Sequence, residues 1–138
     1  MKENNPLKLN EFTIQHQLQT RFRDVDAFQH INNAVFLSYF EDARKPFFKK
    51  WNLNLKNKSL IVASIKIDYF SQLKHPSTIN IGQRISRIGK TSFDVDASLF
   101  LNNKVVSSCK TTIVCYDFDK QKPVLVYNEI IDDFNLNN

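Results

Sequence analysis

One short segment of the chain gathers most of the side chains that could act on a substrate. It runs from Arg23 to Asn33 and holds two carboxylates, one histidine and two adjacent asparagines. A carboxylate in such a segment can act as a base or a nucleophile, and its pKa depends on how deeply it is buried. If a helix begins directly after the segment, its free N–H groups can bind an oxygen that becomes negative during a reaction. The alternative interpretation is an Asp- and Asn-rich loop that only turns the chain and caps a helix.

The composition excludes several sites that need clustered residues. Gly82 and Gly89 are the two glycines, and they cannot build a P-loop, a dinucleotide-binding loop or a nucleophile elbow. Cys109 and Cys115 are too few for a disulfide scaffold, and we expect both to be reduced thiols. The three histidines lie far apart, and no CxxC or HExxH motif is present. We therefore predict no metal site.

Length and charge set the class of protein. A chain of 138 residues is expected to form one domain, spanning residues 1–138. Its net charge of +5 would suit a nucleic acid, but the basic residues are interleaved with acidic ones. No recognition-helix or RNP-like motif accompanies them. The charge therefore favours a solvated surface or a small anionic ligand.

The sequence predicts no membrane span and no signal peptide. No apolar run approaches the roughly 18 residues of a transmembrane helix. The first ten residues, MKENNPLKLN, lack the apolar core of a signal peptide. We therefore expect a cytoplasmic protein that does not enter a membrane.

Hydrophobic periodicity predicts the elements that hold the segment 23–33 in place. Residues 12–22 alternate between apolar and polar side chains, which predicts a half-buried strand. Beyond the segment, apolar residues recur at helical spacing and predict a long buried helix: Phe36, Phe40, Ala43, Phe47 and Trp51. Asn32 or Asn33 is expected to cap this helix, and Pro46 is expected to kink it.

From Leu60 onward the apolar period becomes two. Four strands are predicted, over residues 60–69, 79–88, 93–101 and 105–116, and short turns separate them. The order of strand, helix and four strands predicts an α+β fold. In that fold a five-stranded antiparallel sheet wraps around one long central helix.

Two motifs relate the segment to a known family. Residues 23–34 read RDVDAFQHINNA, and residues 39–44 read YFEDAR. Together they resemble the signature of hot-dog acyl-CoA thioesterases of the 4-hydroxybenzoyl-CoA thioesterase type. That signature is D-x-D-x-x-G-H-V-N-N, a short aromatic spacer and Y-x-x-x-x-E-x-A-R. The similarity continues through residues 67–70, 87–93 and the final strand. The resemblance implies the hot-dog fold, which agrees with the architecture that periodicity predicts.

The resemblance also implies roles for residues of the segment. Asp26 corresponds to the catalytic carboxylate, which either attacks the thioester carbonyl or activates water. Asn33 lies at the helix start, where a backbone N–H is expected to hold the carbonyl oxygen. His30 corresponds to the histidine of the motif, with either a chemical or a loop-orienting role. Asp24 is expected to fix the loop rather than to react.

Outside the segment the resemblance implies two further sets of contacts. Glu41 corresponds to the glutamate of the family helix and is expected to form a structural ion pair with Arg44. Lys90, with Arg87 or Arg84 nearby, corresponds to a basic turn that meets the phosphates of coenzyme A in some relatives. A lysine needs only proximity to act as a point charge for phosphate, so surface solubility is an equal alternative for this turn.

The activity implied by the resemblance is hydrolysis of an acyl-CoA thioester to a free acid and coenzyme A. Coenzyme A is then part of the substrate, and neither a separate cofactor nor a metal is required. Relatives place the site between subunits, which implies a homodimer or a homotetramer. Two alternatives stay open: a non-catalytic hot-dog protein that binds acyl-CoA and, from another class, a small basic nucleic-acid-binding protein.

Three residues depart from the family pattern. Gln29 replaces the usual glycine, which puts the path of the loop before His30 in question. Pro46 lies within the helix, where relatives have ordinary helix formers. Phe28 occupies the position of a catalytic asparagine in related plant enzymes, which argues against the full mechanism of those enzymes.

Overall fold

A computed structural model describes residues 7–138 of the chain. Six strands and three α-helices follow one another along it. In chain order they are β1 (Ile14–Gln19), α1 (Asn33–Ala43), α2 (Lys45–Trp51), β2 (Ser59–Tyr69), β3 (Thr78–Ile88), β4 (Ser92–Leu101), β5 (Lys104–Asp117), β6 (Lys122–Pro123) and α3 (Asn128–Leu136). None of the helices in this part of the chain is both long and apolar enough to cross a membrane.

The strands form a single antiparallel sheet in the order β1-β3-β4-β5-β2, and the short β6 pairs with the end of β5. The predicted five-stranded antiparallel sheet is therefore confirmed, with β6 as an addition. The sheet and the helix after β1 give the α+β hot-dog architecture that the sequence predicts. Because β1 and β2 pair on one side only, they form the two edges of the sheet.

The predicted long helix is present as two helices. Arg44 separates α1 from α2, and Pro46 lies in the first turn of α2, where its missing N–H removes no helical hydrogen bond. The predicted distortion at Pro46 is thus a break in the helix. The Gln83 side chain on β3, only 1% exposed, donates its Nε2–H to the carbonyl oxygen of Ala43 at the end of α1. This hydrogen bond ties the break to the sheet.

The core lies between the two helices and the concave face of the sheet. All five residues of the predicted helical stripe are at most 4% exposed, which confirms that the sheet wraps the helix. They divide between two apolar clusters. Phe36, Phe40 and Ala43 belong to the first cluster, beside the first halves of β3 and β5. Phe47 and Trp51 belong to the second cluster, at the other end of the sheet.

Helix α3 closes the second cluster and was not predicted from the sequence. Ile130 on α3 is fully buried against this cluster. Asp133, also buried, accepts hydrogen bonds from Trp51 Nε1 at 2.8 Å and from Lys50 Nζ at 2.6 Å. These bonds fasten α3 to α2, because a buried polar group is costly unless it is hydrogen-bonded. Cys109 and Cys115 are also buried, and neither forms a disulfide in the structure.

Candidate active site

The segment 23–33 forms a tight loop between β1 and α1. Val25 and Ile31 pair as an isolated antiparallel bridge, and the Asp26 N–H donates to the His30 carbonyl at 3.0 Å. The Gln29 N–H in turn donates to the Asp26 carbonyl at 3.0 Å. The Ile31 N–H donates to the Leu73 carbonyl at 2.8 Å, which attaches the loop to the β2–β3 connection. The loop is therefore a fixed structure.

Gln29 has a positive φ of 65° within this loop. Glycine adopts this left-handed conformation without cost, whereas an L-residue with a side chain pays about 1–2 kcal/mol for it. The structure therefore gives a physical reason for the glycine of the family motif. In this chain a glutamine holds the same kind of turn.

Replacing Gln29 with glycine is expected to raise the free energy of unfolding by about 0.5–1 kcal/mol, because relief of the left-handed strain outweighs the greater flexibility of the unfolded chain. Urea denaturation checks this value. Gln19→Gly is the matched control. Gln19 lies in extended conformation in β1, so this substitution should lower the free energy of unfolding by about 0.5–1 kcal/mol. A loss of stability at both positions would contradict the strain argument.

Asp26 lies half-buried at one wall of a groove of about 380 Å³. One of its carboxylate oxygens, Oδ1, accepts a hydrogen bond from the Phe28 N–H at 2.9 Å. Within residues 7–138 no hydrogen bond or ion pair uses the other oxygen, so it is free to meet a substrate or water. The groove is also lined by Phe28, His30, Ile31, Asn32, Asn33, Phe36, Gln72 and Leu73.

Asn32 and Asn33 begin α1 at the same groove. The Asn32 side chain accepts a hydrogen bond from the Ala34 N–H at 2.8 Å, so of the two predicted caps Asn32 is the N-cap. No hydrogen bond in the described part of the chain uses the Asn33 N–H, one of the donors that a helix leaves free at its start. The groove thus has a free carboxylate oxygen and a free backbone donor on its walls.

His30 lines the groove beside Asp26 and is half-buried. Its ring atom Nδ1 is buried and has no hydrogen-bond partner among residues 7–138. The backbone of His30 already contributes to the loop through its carbonyl oxygen. The imidazole ring therefore takes no part in the hydrogen bonds that fix the loop among the described residues.

Asp24 lies behind the loop, where it is only 2% exposed. Its carboxylate accepts a hydrogen bond from the Tyr39 hydroxyl at 2.6 Å and from the Arg21 guanidinium at 3.0 Å. Burial alone would raise the pKa of Asp24, but the hydrogen bonds from Tyr39 and Arg21 outweigh it and hold the pKa below its ordinary value of 3.8. Asp24 also accepts the Asn32 N–H at its carbonyl oxygen. These contacts fix the loop, which is the role predicted for Asp24.

The predicted ion pair between Glu41 and Arg44 is wrong. Glu41 lies on the exposed side of α1, whereas Arg44 follows the end of that helix and is 3% exposed in the interior. The Arg44 guanidinium donates to the Thr111 hydroxyl at 3.3 Å, and burial lowers the pKa of Arg44. The helix break turns Arg44 inward, so three-residue spacing no longer brings the two charges together.

The residues predicted to meet coenzyme A lie away from Asp26 within one chain. Strand β3 starts beside the end of β1, near the candidate site, and runs through eleven residues to Ile88, about 33 Å at 3.3 Å per residue. Lys90 is exposed in the turn after β3. Arg87 is held by Asp94 through two hydrogen bonds of 2.8 and 3.2 Å. Arg84 lies in a separate groove on the convex face of the sheet.

Sequence reasoning assigned no role to Tyr69. Its hydroxyl donates a hydrogen bond to the Asn33 carbonyl at 2.6 Å, although the two residues are 36 positions apart. Tyr69 was visible in the sequence only as part of the family resemblance. No local pattern shows that the end of β2 reaches the start of α1.

Comparison with known proteins identifies the family of the chain. A family model described as the thioesterase-like superfamily matches residues 20–134, and it covers the loop, both central helices and strands β2–β6. The chain belongs to the thioesterase-like superfamily. The predicted relationship to hot-dog thioesterases is therefore confirmed, while the match does not specify the 4-hydroxybenzoyl-CoA type.

Three known proteins illustrate the similarity. It is 25% identical to the long-chain acyl-CoA thioesterase FadM of Escherichia coli over 124 residues, which cover 85% of this chain and 93% of FadM. It is 34% identical to the protein YsmA of Bacillus subtilis over 83 residues, 59% of this chain; the match spans 56% of YsmA. A Thermus thermophilus thioesterase, solved with coenzyme A and zinc, has a TM-score of 0.82 and 25% identity, covering 92% of this chain and 95% of that protein.

The donor groups among residues 7–138 provide no counterpart for the zinc of that thioesterase. Among residues 7–138 there is no group of three or more histidine, cysteine, aspartate and glutamate side chains that could hold a metal ion.

Proposed function

We propose that this member of the thioesterase-like superfamily hydrolyses acyl-CoA thioesters to a free acid and coenzyme A. The observation that carries the proposal is the groove, which is lined both by Asp26, with one free carboxylate oxygen, and by Asn33, with a free backbone N–H. The names of FadM and of the coenzyme A-bound Thermus thioesterase support the same substrate class. The proposal also accounts for the fixed loop, because catalysis requires the reacting groups to be held in place beforehand.

The thioester carbonyl oxygen would accept a hydrogen bond from the Asn33 N–H, which stabilises negative charge on that oxygen. Asp26 then has two routes. In one, an Asp26 oxygen attacks the carbonyl carbon, the C–S bond breaks, coenzyme A leaves and takes a proton, and water cleaves the resulting anhydride. In the other, Asp26 accepts a proton from the water that attacks the carbonyl carbon, and the proton passes to the departing sulfur.

The acyl group would lie against the apolar part of the groove. Phe28, Ile31, Phe36 and Leu73 form this part. Phe28 is 80% exposed, so it has little protein packed against it and presents its ring to whatever enters. Burial of an acyl chain on such side chains contributes binding energy through the hydrophobic effect.

The test is release of the coenzyme A thiol from a panel of short, medium, long and aromatic acyl-CoAs. Wild-type protein should release thiol from at least one of them. Binding of every acyl-CoA without release would favour a non-catalytic binding protein. Salt-sensitive binding of RNA or DNA without release would favour a nucleic-acid-binding protein.

His30→Ala belongs in the same assay: slower turnover at unchanged stability indicates a chemical role for His30, and loss of stability alone indicates an orienting role.

We also propose that two chains pair through the β2 edges of their sheets. Ile61 and Val62 on this edge are 37% and 43% exposed, and an uncovered apolar edge strand is prone to pair with another strand. Antiparallel pairing about a two-fold axis would place the beginning of one β2 beside the end of the other. The turn with Lys90 in one chain would then lie at the same end as the Asp26 loop of the other, which suits a substrate whose phosphates meet Lys90.

Val62→Lys is expected to convert a dimer into monomers, because a charge on an edge strand opposes strand pairing. Sedimentation or light scattering measures the mass. Leu125→Lys is the control, since Leu125 is 65% exposed and lies outside the sheet. A wild-type monomer, or a Val62→Lys dimer as stable as wild type, would contradict pairing through β2.

A further inference from the structure

Tyr69 connects the edge strand of the sheet to the start of helix α1. It is the last residue of β2, and its hydroxyl donates to the Asn33 carbonyl oxygen at 2.6 Å. Its ring packs edge-on against the Phe36 ring with the centroids 5.1 Å apart. Phe36 is one of the side chains that line the groove. Tyr69 therefore contacts α1 through both its ring and its hydroxyl.

The Tyr69 hydroxyl adds a hydrogen bond to a peptide group at the start of α1. The peptide between Asn33 and Ala34 has its N–H bound by the Asn32 side chain at 2.8 Å and its carbonyl oxygen bound by Tyr69 at 2.6 Å. The preceding peptide, between Asn32 and Asn33, carries the free Asn33 N–H. Its carbonyl oxygen accepts the Val35 N–H at 2.9 Å. The carbonyl group of its own peptide and the whole of the next peptide are thus held by hydrogen bonds. The direction of the Asn33 N–H is therefore fixed.

We propose that Tyr69 is a positioning residue for catalysis, which fixes the Asn33 N–H toward the thioester carbonyl oxygen. The inference rests on the proposed thioesterase function and adds a residue that lies behind the groove, outside its lining, and acts through Asn33 and Phe36. An oxyanion donor is effective because it is already oriented when charge develops, so loss of the restraint acts on the transition state more than on substrate binding.

Tyr69→Phe removes only the hydroxyl and keeps the ring against Phe36. We expect kcat to fall about tenfold while KM changes less than twofold, because a misdirected donor weakens transition-state stabilisation without removing a binding group. Tyr116→Phe is the matched control. The Tyr116 hydroxyl forms no hydrogen bond within residues 7–138, and Tyr116 lies near the other end of the sheet. Its kcat should equal that of wild type.

A second measurement tests the restraint without any substrate. Amide exchange followed by NMR should show the Ala34 N–H exchanging several times faster in Tyr69→Phe than in wild type or Tyr116→Phe, because the peptide has lost one of the hydrogen bonds that restrain it. An unchanged kcat in Tyr69→Phe, or a rise in KM at constant kcat, would overturn the positioning role. If the wild-type protein hydrolyses no acyl-CoA, the proposed function fails. The restraint of the Asn33–Ala34 peptide by Tyr69 is tested separately: it is refuted if the Ala34 N–H exchanges at the same rate in Tyr69→Phe and in wild type.

Discussion

Asp26→Asn is expected to lower kcat for acyl-CoA hydrolysis by about 10²- to 10⁴-fold, the range that a catalytic acid or base contributes. The amide can neither accept a proton from water at neutral pH nor attack the thioester as a carboxylate does. It does keep an oxygen at the Oδ1 position, which can still accept the Phe28 N–H. The loop should therefore survive the substitution, and thiol release measures the chemical loss alone.

Asp132→Asn is the control for this variant. Asp132 lies exposed on α3 and takes part in no ion pair among the described residues. The substitution makes the same change of charge far from the groove, and its kcat should stay within twofold of wild type. An Asp26→Asn enzyme as fast as wild type would show that the carboxylate is not used, and both proposed routes would fall together.

Asp24→Ala is expected to lower the free energy of unfolding at pH 7 by about 3 kcal/mol, since it leaves the buried Tyr39 hydroxyl without its acceptor and removes hydrogen bonds from Arg21. Urea denaturation measures this value. Asp42→Ala is the control, because Asp42 is half-exposed and pairs with the exposed Lys45. Its expected loss is below about 1 kcal/mol.

The effect of Asp24 should depend on pH in a defined direction. Its pKa is lower in the folded protein than the ordinary 3.8, so the unfolded chain binds the proton first as the pH falls. The stability that Asp24 contributes is complete above pH 3.8 and is lost as the pH falls through the lower, folded pKa. The difference in free energy of unfolding between wild type and Asp24→Ala should therefore become smaller below pH 4. If this difference becomes larger below pH 4, Asp24 is not held as a carboxylate.

Periodicity and the motif predicted the parts of the molecule that local sequence determines. The stripe from Phe36 to Trp51 identified the wrapped helix because every member had to face the same core. The alternation from Leu60 onward identified the strands for the same reason. Within the loop, the order of residues placed Asp26, His30 and Asn33 together, and the structure does bring these three to one groove.

The features that the sequence did not predict arise from contacts between distant residues. The break after α1 turned a predicted structural ion pair into a buried arginine, whose hydrogen-bond partner Thr111 lies on β5. Helix α3 is nine residues long, and its position depends on Asp133 bonding to Trp51. The link from Tyr69 to Asn33 likewise joins two elements whose proximity only the folded sheet determines.

The hydrogen bond between Trp51 and Asp133 makes tryptophan fluorescence a probe of how α3 is packed. Trp51 is the single tryptophan of the chain and is 4% exposed. Its indole stacks on Phe47 and meets Phe93, whose strand partner is Ile88 at the far end of β3. Its fluorescence therefore reports the packing of α3 and leaves the groove unobserved. Variants at Asp26 or Tyr69 should share the wild-type emission spectrum, so the folding of each can be read in the same cuvette as its loss of activity.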